Sequence, residues 1–364
     1  MFVHAAQRLG FETLVLDPDI HSPAGAAAHD QLCAAYDEER ALVEMAGRCD
    51  AVTTEFENVP AHSLAALARE IPVAPAASAV ATCQDRAAEK AHFLRAGVPC
   101  APHAVIDSPE ALAAVADDLL PGILKTARLG YDGKGQVVVG DRAALAAAWE
   151  QLRRVTCVLE KKLPLAYELS IIVARGADGQ IVNLPVQQNL HRAGILALTS
   201  VPAPEVTPAQ AGQAIECARA IAASMDYVGV LCVEFFVLGD GSLVANEMAP
   251  RPHNSGHYSI DACDLSQFEL QVRTLARLPL TEPRLHSPCA MLNLLGDLWF
   301  ENGVEREPDW GALLALPGMH LHLYGKRQAR PGRKMGHLTV TAATPALARE
   351  RANAAAAVLG LPGF

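Results

Sequence analysis

The sequence predicts an open α/β unit at the amino end joined to a larger α+β body. Three observations lead there. Up to about residue 81, helical and strand-like apolar runs alternate: MFVHAAQRLG, ETLVLD, HDQLCAAYDEERALVEMAGRC, DAVTTEFENVP, SLAALAREI and PVAP. That is the rhythm of an open sheet whose ligands sit at the carboxyl ends of its strands. Further on, strands follow one another through tight turns, as in VGVLCVEFFVLGDG and SLVANEM around a Gly-Asp-Gly turn. Finally, 51% of the 364 residues are apolar and 19% charged, enough to bury a large core across two or three domains.

Taken in order, residues 1–81 form the first unit, with Gly10 a C-cap for the opening helix. The chain opens directly in a helix, where a doubly wound domain ordinarily opens with a strand and a glycine-rich turn. The expectation is a unit lacking its first strand, with Met1 internal to a longer gene product and an upstream-extended form more stable. Residues 82–97, TCQDRAAEKAHFLRAG, read as one connecting helix. Residues 98–165 form a small α/β unit: the strand PHAVI, a helix capped by Ser108-Pro109-Glu110, two strands within GILKTARLGYDGKGQVVV, and CVLEKKL. Residues 166–364 form the largest unit. It holds the hairpins, the helix PAQAGQAIECARAIAASM, a strand-loop-strand rich in basic residues, LHLYGKRQARPGRKMGHLTV, and a terminal alanine-rich helix.

A formal net charge of -10 disfavours general nucleic-acid binding. No apolar run is long enough to span a membrane, and no signal peptide is visible. The nine cysteines are scattered with no C-x-x-C pair, which predicts reduced, mostly buried thiols in a cytoplasm and no structural zinc site.

Four constellations carry chemistry. Glu234 and Glu247 lie on the two arms of the VEFF/VANEM hairpin, with Asn246 beside Glu247, so two carboxylates meet at one cleft. Hard divalent cations take such oxygen ligands. The competing reading, two solvated acids, fits Glu234 poorly because its neighbours are Val233 and Phe235. Second, Lys125 ends a strand before the glycine-bearing loop of Gly130, Gly133 and Gly135, which suits a flap over nucleotide phosphates and is not a Walker loop. A surface hairpin is the bland alternative. Third, Glu160-Lys161-Lys162-Leu163 at a strand end is suited to face an adenine, Glu160 accepting from its amine and Glu168 from ribose hydroxyls. Singly, these glutamates are ordinary surface residues. Fourth, Arg251, His253, Asn254 and Ser255 follow the second carboxylate, and Lys326, Arg330, Arg333 and Lys334 form a basic island suited to a phosphate. A solvated loop is the alternative for the island.

With TTEFENVP, QDRAAEK, GILKTARLGYDGKGQ, LEKKLPLAYELSIIVAR, PVQQNLHRAGI, VANEMAPRPHNSGHYSIDAC and YGKRQARPGRKMGH in order, the chain resembles the ATP-grasp superfamily and, within it, the N5-carboxyaminoimidazole ribonucleotide synthases. The resemblance implies an ATP-grasp fold behind a Rossmann-like pre-ATP-grasp domain, here without its first strand. It implies a ligase that uses ATP and Mg2+ to join bicarbonate to 5-aminoimidazole ribonucleotide through carboxyphosphate, as a cytoplasmic homodimer. ATP is expected at Arg86, Lys125, Gly130, Tyr131, Asp132, Gly133, Lys134, Gly135, Gln136, Glu160, Lys161, Lys162, Leu163, Glu168, His191, Asn246 and Glu247. The metal falls to Glu234 and Glu247. Arg251 and His253 are expected at the reacting groups, with Tyr131 and Asp132 in a closing flap. Asp132 and His253 both remain open for the amine proton. Glu57, Asn254, Ser255, Lys326 and Arg333 are expected around the ribonucleotide. Formyl transfer to glycinamide ribonucleotide, biotin carboxylation and a catalytically dead nucleotide-binding protein are the rival readings.

Overall fold

The computed structural model describes residues 1–130 and 135–364. Its body is a nine-stranded sheet running Leu243–Ala249, Gly229–Leu238, Leu165–Arg175, Gln187–Arg192, Ile195–Val201, Cys289–Leu295, Lys334–Thr341 and Met319–Leu323, with Ile181–Asn183 paired to the third. The ladders of this path are antiparallel. Strand alternation explains how Gly229–Leu238 can be apolar almost throughout. Leu231, Val233, Phe235 and Val237 pack with Ala214, Ala218 and Ile221 of helix Pro208–Ser224, while Val230 and Cys232 pack on the other face with Tyr258 and Leu270. That helix opens with a full capping box between Thr207 and Gln210.

A four-stranded antiparallel sheet, His103–Ile106, Cys157–Lys161, Gly122–Thr126 and Gln136–Val139, forms the smaller unit. Leu124, Leu159, Leu145 and Trp149 fill its core, the last two from helix Arg142–Gln151. A parallel bridge from Cys100 to Ala245 fastens this unit to the large sheet.

Residues 82–97 are not one helix. Helix Ala77–Cys83 ends, Asp85 caps a new one, and Arg86–Arg95 follows. The Asp85 carboxylate accepts from the amides of Ala87 at 3.0 Å and Ala88 at 3.2 Å, and Gln84 turns away to donate to the carbonyls of Glu57 and Val59, both at 2.7 Å. An aspartate that satisfies orphan amides starts a helix more readily than it sits within one.

In the amino-terminal unit, Leu14–Leu16 pairs in parallel with Asp30–Leu32, and Val52 bridges in parallel to Val73. The strand expected over DAVTT is thus a single bridge. An apolar cavity of about 760 Å3, lined among others by Val15, Leu16 and Val52, lies here. Helix Phe2–Arg8 buries Ala5 and Ala6 against Phe268 and Val272 of helix Gln267–Leu275, and Arg8 pairs with Glu269 across the same contact. Gly10, at φ +84°, takes the left-handed turn that ends the first helix. Among the described residues, no helix is long and apolar enough to cross a membrane.

Gly256 fixes the turn after His253. A Cβ there would meet Ile172 Cδ1 at 2.3 Å and Gln267 Oε1 at 2.6 Å. Gly256→Ala should therefore cost about 1–3 kcal/mol of stability, read as a lower urea midpoint at unchanged slope.

Candidate active site

The hairpin places Glu234 directly opposite Glu247, with a register shift immediately after Glu234. Facing carboxylates repel, and each finds a different environment. Burial and the charge of Glu247 push the Glu234 carboxyl up to about 8. Burial works the same way on Glu247, but Arg86 and Lys125 outweigh it and hold that carboxyl below its ordinary value. Arg86 reaches Glu247 Oε2 at 3.2 Å and the Gly130 carbonyl at 3.4 Å. Among the described residues, the buried side-chain oxygen of Asn246 has no hydrogen-bond partner. Two opposed carboxylates, one short of compensating charge, beside an orphaned oxygen, make a donor set that fits a hard divalent cation.

The helix break at Asp85 turns Glu89 and Lys90 inward, and sequence reading missed both. Lys90 is fully buried, donating to the Asn246 carbonyl at 2.7 Å and pairing with Glu160 at 3.1 Å. Lys125 meets the other oxygen of Glu160 at 2.8 Å. Burial opposes charge on Glu160, yet Lys125 and Lys90 prevail and hold its carboxyl down at about 2. Two ammonium groups thus hold Glu160 in place, and it still lines the cleft. Glu89 accepts the Met248 amide at 2.6 Å, and burial raises its carboxyl to about 8.

On the opposite wall, Arg251 pairs with Glu57, its Nε 3.0 Å from Oε2. The pair ties the amino-terminal unit to the end of the hairpin. His253 Nε2 lies 3.4 Å from Glu234, while its Nδ1 meets Ser255 Oγ at 2.9 Å. Burial, reinforced by the charge of Arg251, drives His253 well below its usual pKa, so it is neutral. Ser255 itself does not face the cleft. It is wholly buried and bonded to Ser170, which continues to Asn189 and Thr199 at 2.8, 2.7 and 2.9 Å. The substrate contact expected of Ser255 is corrected to orientation of His253.

Glu57, Arg86, Glu89, Lys125, Glu160, Glu234, Asn246, Glu247, Arg251 and His253 line one cleft of about 600 Å3. Gln136, Lys161, Lys162, Leu163 and Asn254 line it too. So do Glu168 and His191, an ion pair at 2.8 Å. Burial lowers His191 but Glu168 overcomes it, and the imidazole sits above its ordinary pKa. Gly135, at φ +72°, closes the strand turn against Thr126. Tyr131, Asp132, Gly133 and Lys134 lie outside the described residues. Lys326 and Arg333 belong to the basic loop beside Lys334 and are not among the residues that line the cleft. Lys326 donates to the Lys334 carbonyl at 2.6 Å, and burial, with Arg333 and Lys334 nearby, lowers its ammonium to about 8. Arg333 donates to the Gln328 carbonyl at 2.8 Å, closing the basic loop on itself. Lys334, one residue on, is the member of the island that lines the cleft. Strand alternation was the available signal for choosing it.

The pre-ATP-grasp domain of ribonucleotide synthetases matches residues 1–84, the ATP-grasp domain 91–268, and the C-terminal domain of phosphoribosylaminoimidazole carboxylase 289–351. The N5-carboxyaminoimidazole ribonucleotide synthase of Brucella melitensis biotype 1 is 42% identical over 93% of this chain and 92% of its own. The chain belongs to the N5-carboxyaminoimidazole ribonucleotide synthase family. The Staphylococcus aureus synthase (strain COL) is 38% identical over 93% of this chain and 89% of its own. An ADP complex of a synthetase superposes with a TM-score of 0.89 at 36% identity, covering 97% of this chain and 92% of that one. The Aspergillus clavatus synthase solved with ADP and the aminoimidazole ribonucleotide gives 0.87 at 32% identity, covering 99% and 95%. Membership sets aside the formyl-transfer and biotin-carboxylation readings. It also accounts for the fold: an ATP-grasp body behind a pre-ATP-grasp domain.

Glu160→Gln leaves two buried ammonium groups without their carboxylate and should cost about 3–5 kcal/mol at pH 7. The folded value near 2 lies below the ordinary 4.5, so the stabilisation is complete above 4.5 and fades as pH falls toward 2. Urea midpoints of parent and variant should accordingly differ less at about pH 3 than at pH 7.

Proposed function

We propose that this protein carboxylates 5-aminoimidazole ribonucleotide with bicarbonate at the expense of ATP, giving N5-carboxyaminoimidazole ribonucleotide, ADP and phosphate in purine biosynthesis. The observation that carries the reading is the cleft in which the opposed Glu234 and Glu247, Lys125 with Glu160, and Arg251 with His253 converge, in a chain of this family.

Bicarbonate is a poor electrophile with a poor leaving group. Attack by its oxygen on the γ-phosphorus expels ADP and forms carboxyphosphate. The exocyclic amine then bonds to the carboxyl carbon, the C–O bond to phosphate breaks, phosphate departs with the electron pair, and the nitrogen loses a proton. Glu234 and Glu247, with Asn246 adjacent, would hold Mg2+, which neutralises charge on the β- and γ-phosphates. Lys125 and Arg86 add fixed positive charge on the same side. Arg251, oriented by Glu57, faces the charge that develops on transfer. His253 enters neutral, with its ring fixed through Ser255, and so can take a proton without first losing one. We extend the proposal to a cytoplasmic homodimer on the family resemblance.

ADP release with Mg2+ and ATP should rise strongly on adding the ribonucleotide and fall back when bicarbonate is removed; release indifferent to both would reject the reading. Glu247→Ala should lower turnover at least about 10²-fold at an unchanged circular dichroism spectrum. Lys334→Ala should raise KM for the ribonucleotide about tenfold with a smaller effect on kcat, as loss of a charge contact predicts.

A further inference from the structure

Leu243–Ala249 is the outermost strand of the large sheet, and Glu247 sits at an irregular point of it. On the inner side Glu247 faces Glu234, whereas Ala245 faces Phe235, the very next residue of the partner strand. Asn246 is therefore an extra residue, a bulge, with no counterpart across the ladder. Regular alternation would send Asn246 and Glu247 to opposite faces. At the bulge both line the cleft. A bulge re-aims side chains in this way, but it also interrupts the ladder and leaves backbone groups to be satisfied elsewhere.

The outer edge of the strand finds its partners in other parts of the chain. The Ala245 amide donates to the Pro99 carbonyl at 2.8 Å. The Asn246 carbonyl accepts from Lys90 Nζ at 2.7 Å, and the Met248 amide donates to Glu89 Oε1 at 2.6 Å. Glu89 and Lys90 are consecutive on helix Arg86–Arg95, and both are buried. One supplies an acceptor and the other a donor, as the backbone of a neighbouring strand would, and their two bonds bracket Glu247. A neighbouring strand would impose its own regular register on this edge, whereas two side chains can hold a bulge. Lys90 also pairs with Glu160 at 3.1 Å, which fastens the bulge to the small sheet.

We propose that Lys90 and Glu89 are positioning residues of the cation site: standing in for a strand, they hold the bulge that aims Glu247 and Asn246 into the cleft. The proposal rests on the reading of Glu234 and Glu247 as the carboxylates that hold the metal. Lys90 is not a ligand, since an ammonium group has no lone pair to give, and it is not among the residues that line the cleft. Its positive charge is felt at Glu247 and opposes a cation there. The two effects of removing Lys90 therefore have opposite signs. Loss of charge alone tightens cation binding; loss of positioning weakens it.

The test compares the full-length parent with Lys90→Met, a change that removes the ammonium group and keeps an unbranched side chain. Each protein is held in saturating ADP and titrated with Mn2+, followed by water proton relaxation, and its Tm is recorded. Expected is Mn2+ binding weakened at least about tenfold in a folded variant. Equal or tighter binding overturns the proposal, and so does a lowered Tm at unchanged affinity, which would leave Lys90 a merely structural residue. Failure of the parent itself to bind Mn2+ sinks the cation reading and this proposal together, whereas parent binding matched by the variant sinks the proposal alone. Should Lys90→Met not fold, Glu89→Gln and Glu89→Leu carry the test. Glutamine keeps an acceptor for the Met248 amide and leucine does not, so the glutamine variant should bind Mn2+ at least about tenfold more tightly than the leucine variant. Equal affinity of the two overturns the proposal.

Discussion

The cross-strand pairing of Glu234 with Glu247 is the constraint around which the rest of the protein is arranged. A β-hairpin sets opposed side chains a few ångströms apart and offers no way to separate them short of changing register. Two like charges in that position are unfavourable unless something compensates. Arg86 and Lys125 compensate Glu247, whereas the rise of Glu234 to about 8 marks charge left unmet. The hairpin itself is held by burial on both faces of Gly229–Leu238. The repulsion is thus sustained by apolar packing elsewhere, the pattern expected where a site is preorganised for a cation.

The compensating groups come from different parts of the chain, and this ties the parts together. Arg86 and Lys90 belong to the linking helix, Lys125 and Glu160 to the small sheet, and Glu57 to the amino-terminal unit, where it meets Arg251. Buried ion pairs of this sort add little net stability, because desolvation offsets attraction. What they contribute is geometry: with Glu160 between two lysines, the small sheet has one favoured placement against the large one. The chain Ser255–Ser170–Asn189–Thr199 does the same for His253 without any charge.

Much of this was legible in the sequence. A carboxylate inside VLCVEFFV has few explanations other than a partner, and a Gly-Asp-Gly turn fixes which residues face each other. The two arms of the hairpin and the strand bearing Lys125 follow from the same alternation. Lys90 was not legible, because a lysine in a polar helix reads as solvated until the break at Asp85 shows which way the helix turns. Ser255 was misjudged for a related reason: in a tight turn, neighbours one residue apart point opposite ways, so it turns into the core while Asn254 lines the cleft.

The central claim is that the opposed carboxylates act as one cation site. It is tested most directly by titrating Mn2+, as a paramagnetic stand-in for Mg2+, into the ADP-bound protein and into Glu234→Gln, with free Mn2+ followed by electron paramagnetic resonance. The claim predicts that removing this one carboxyl ligand weakens Mn2+ binding at least about tenfold while ADP remains bound. Equal Mn2+ affinity in the two proteins would contradict it.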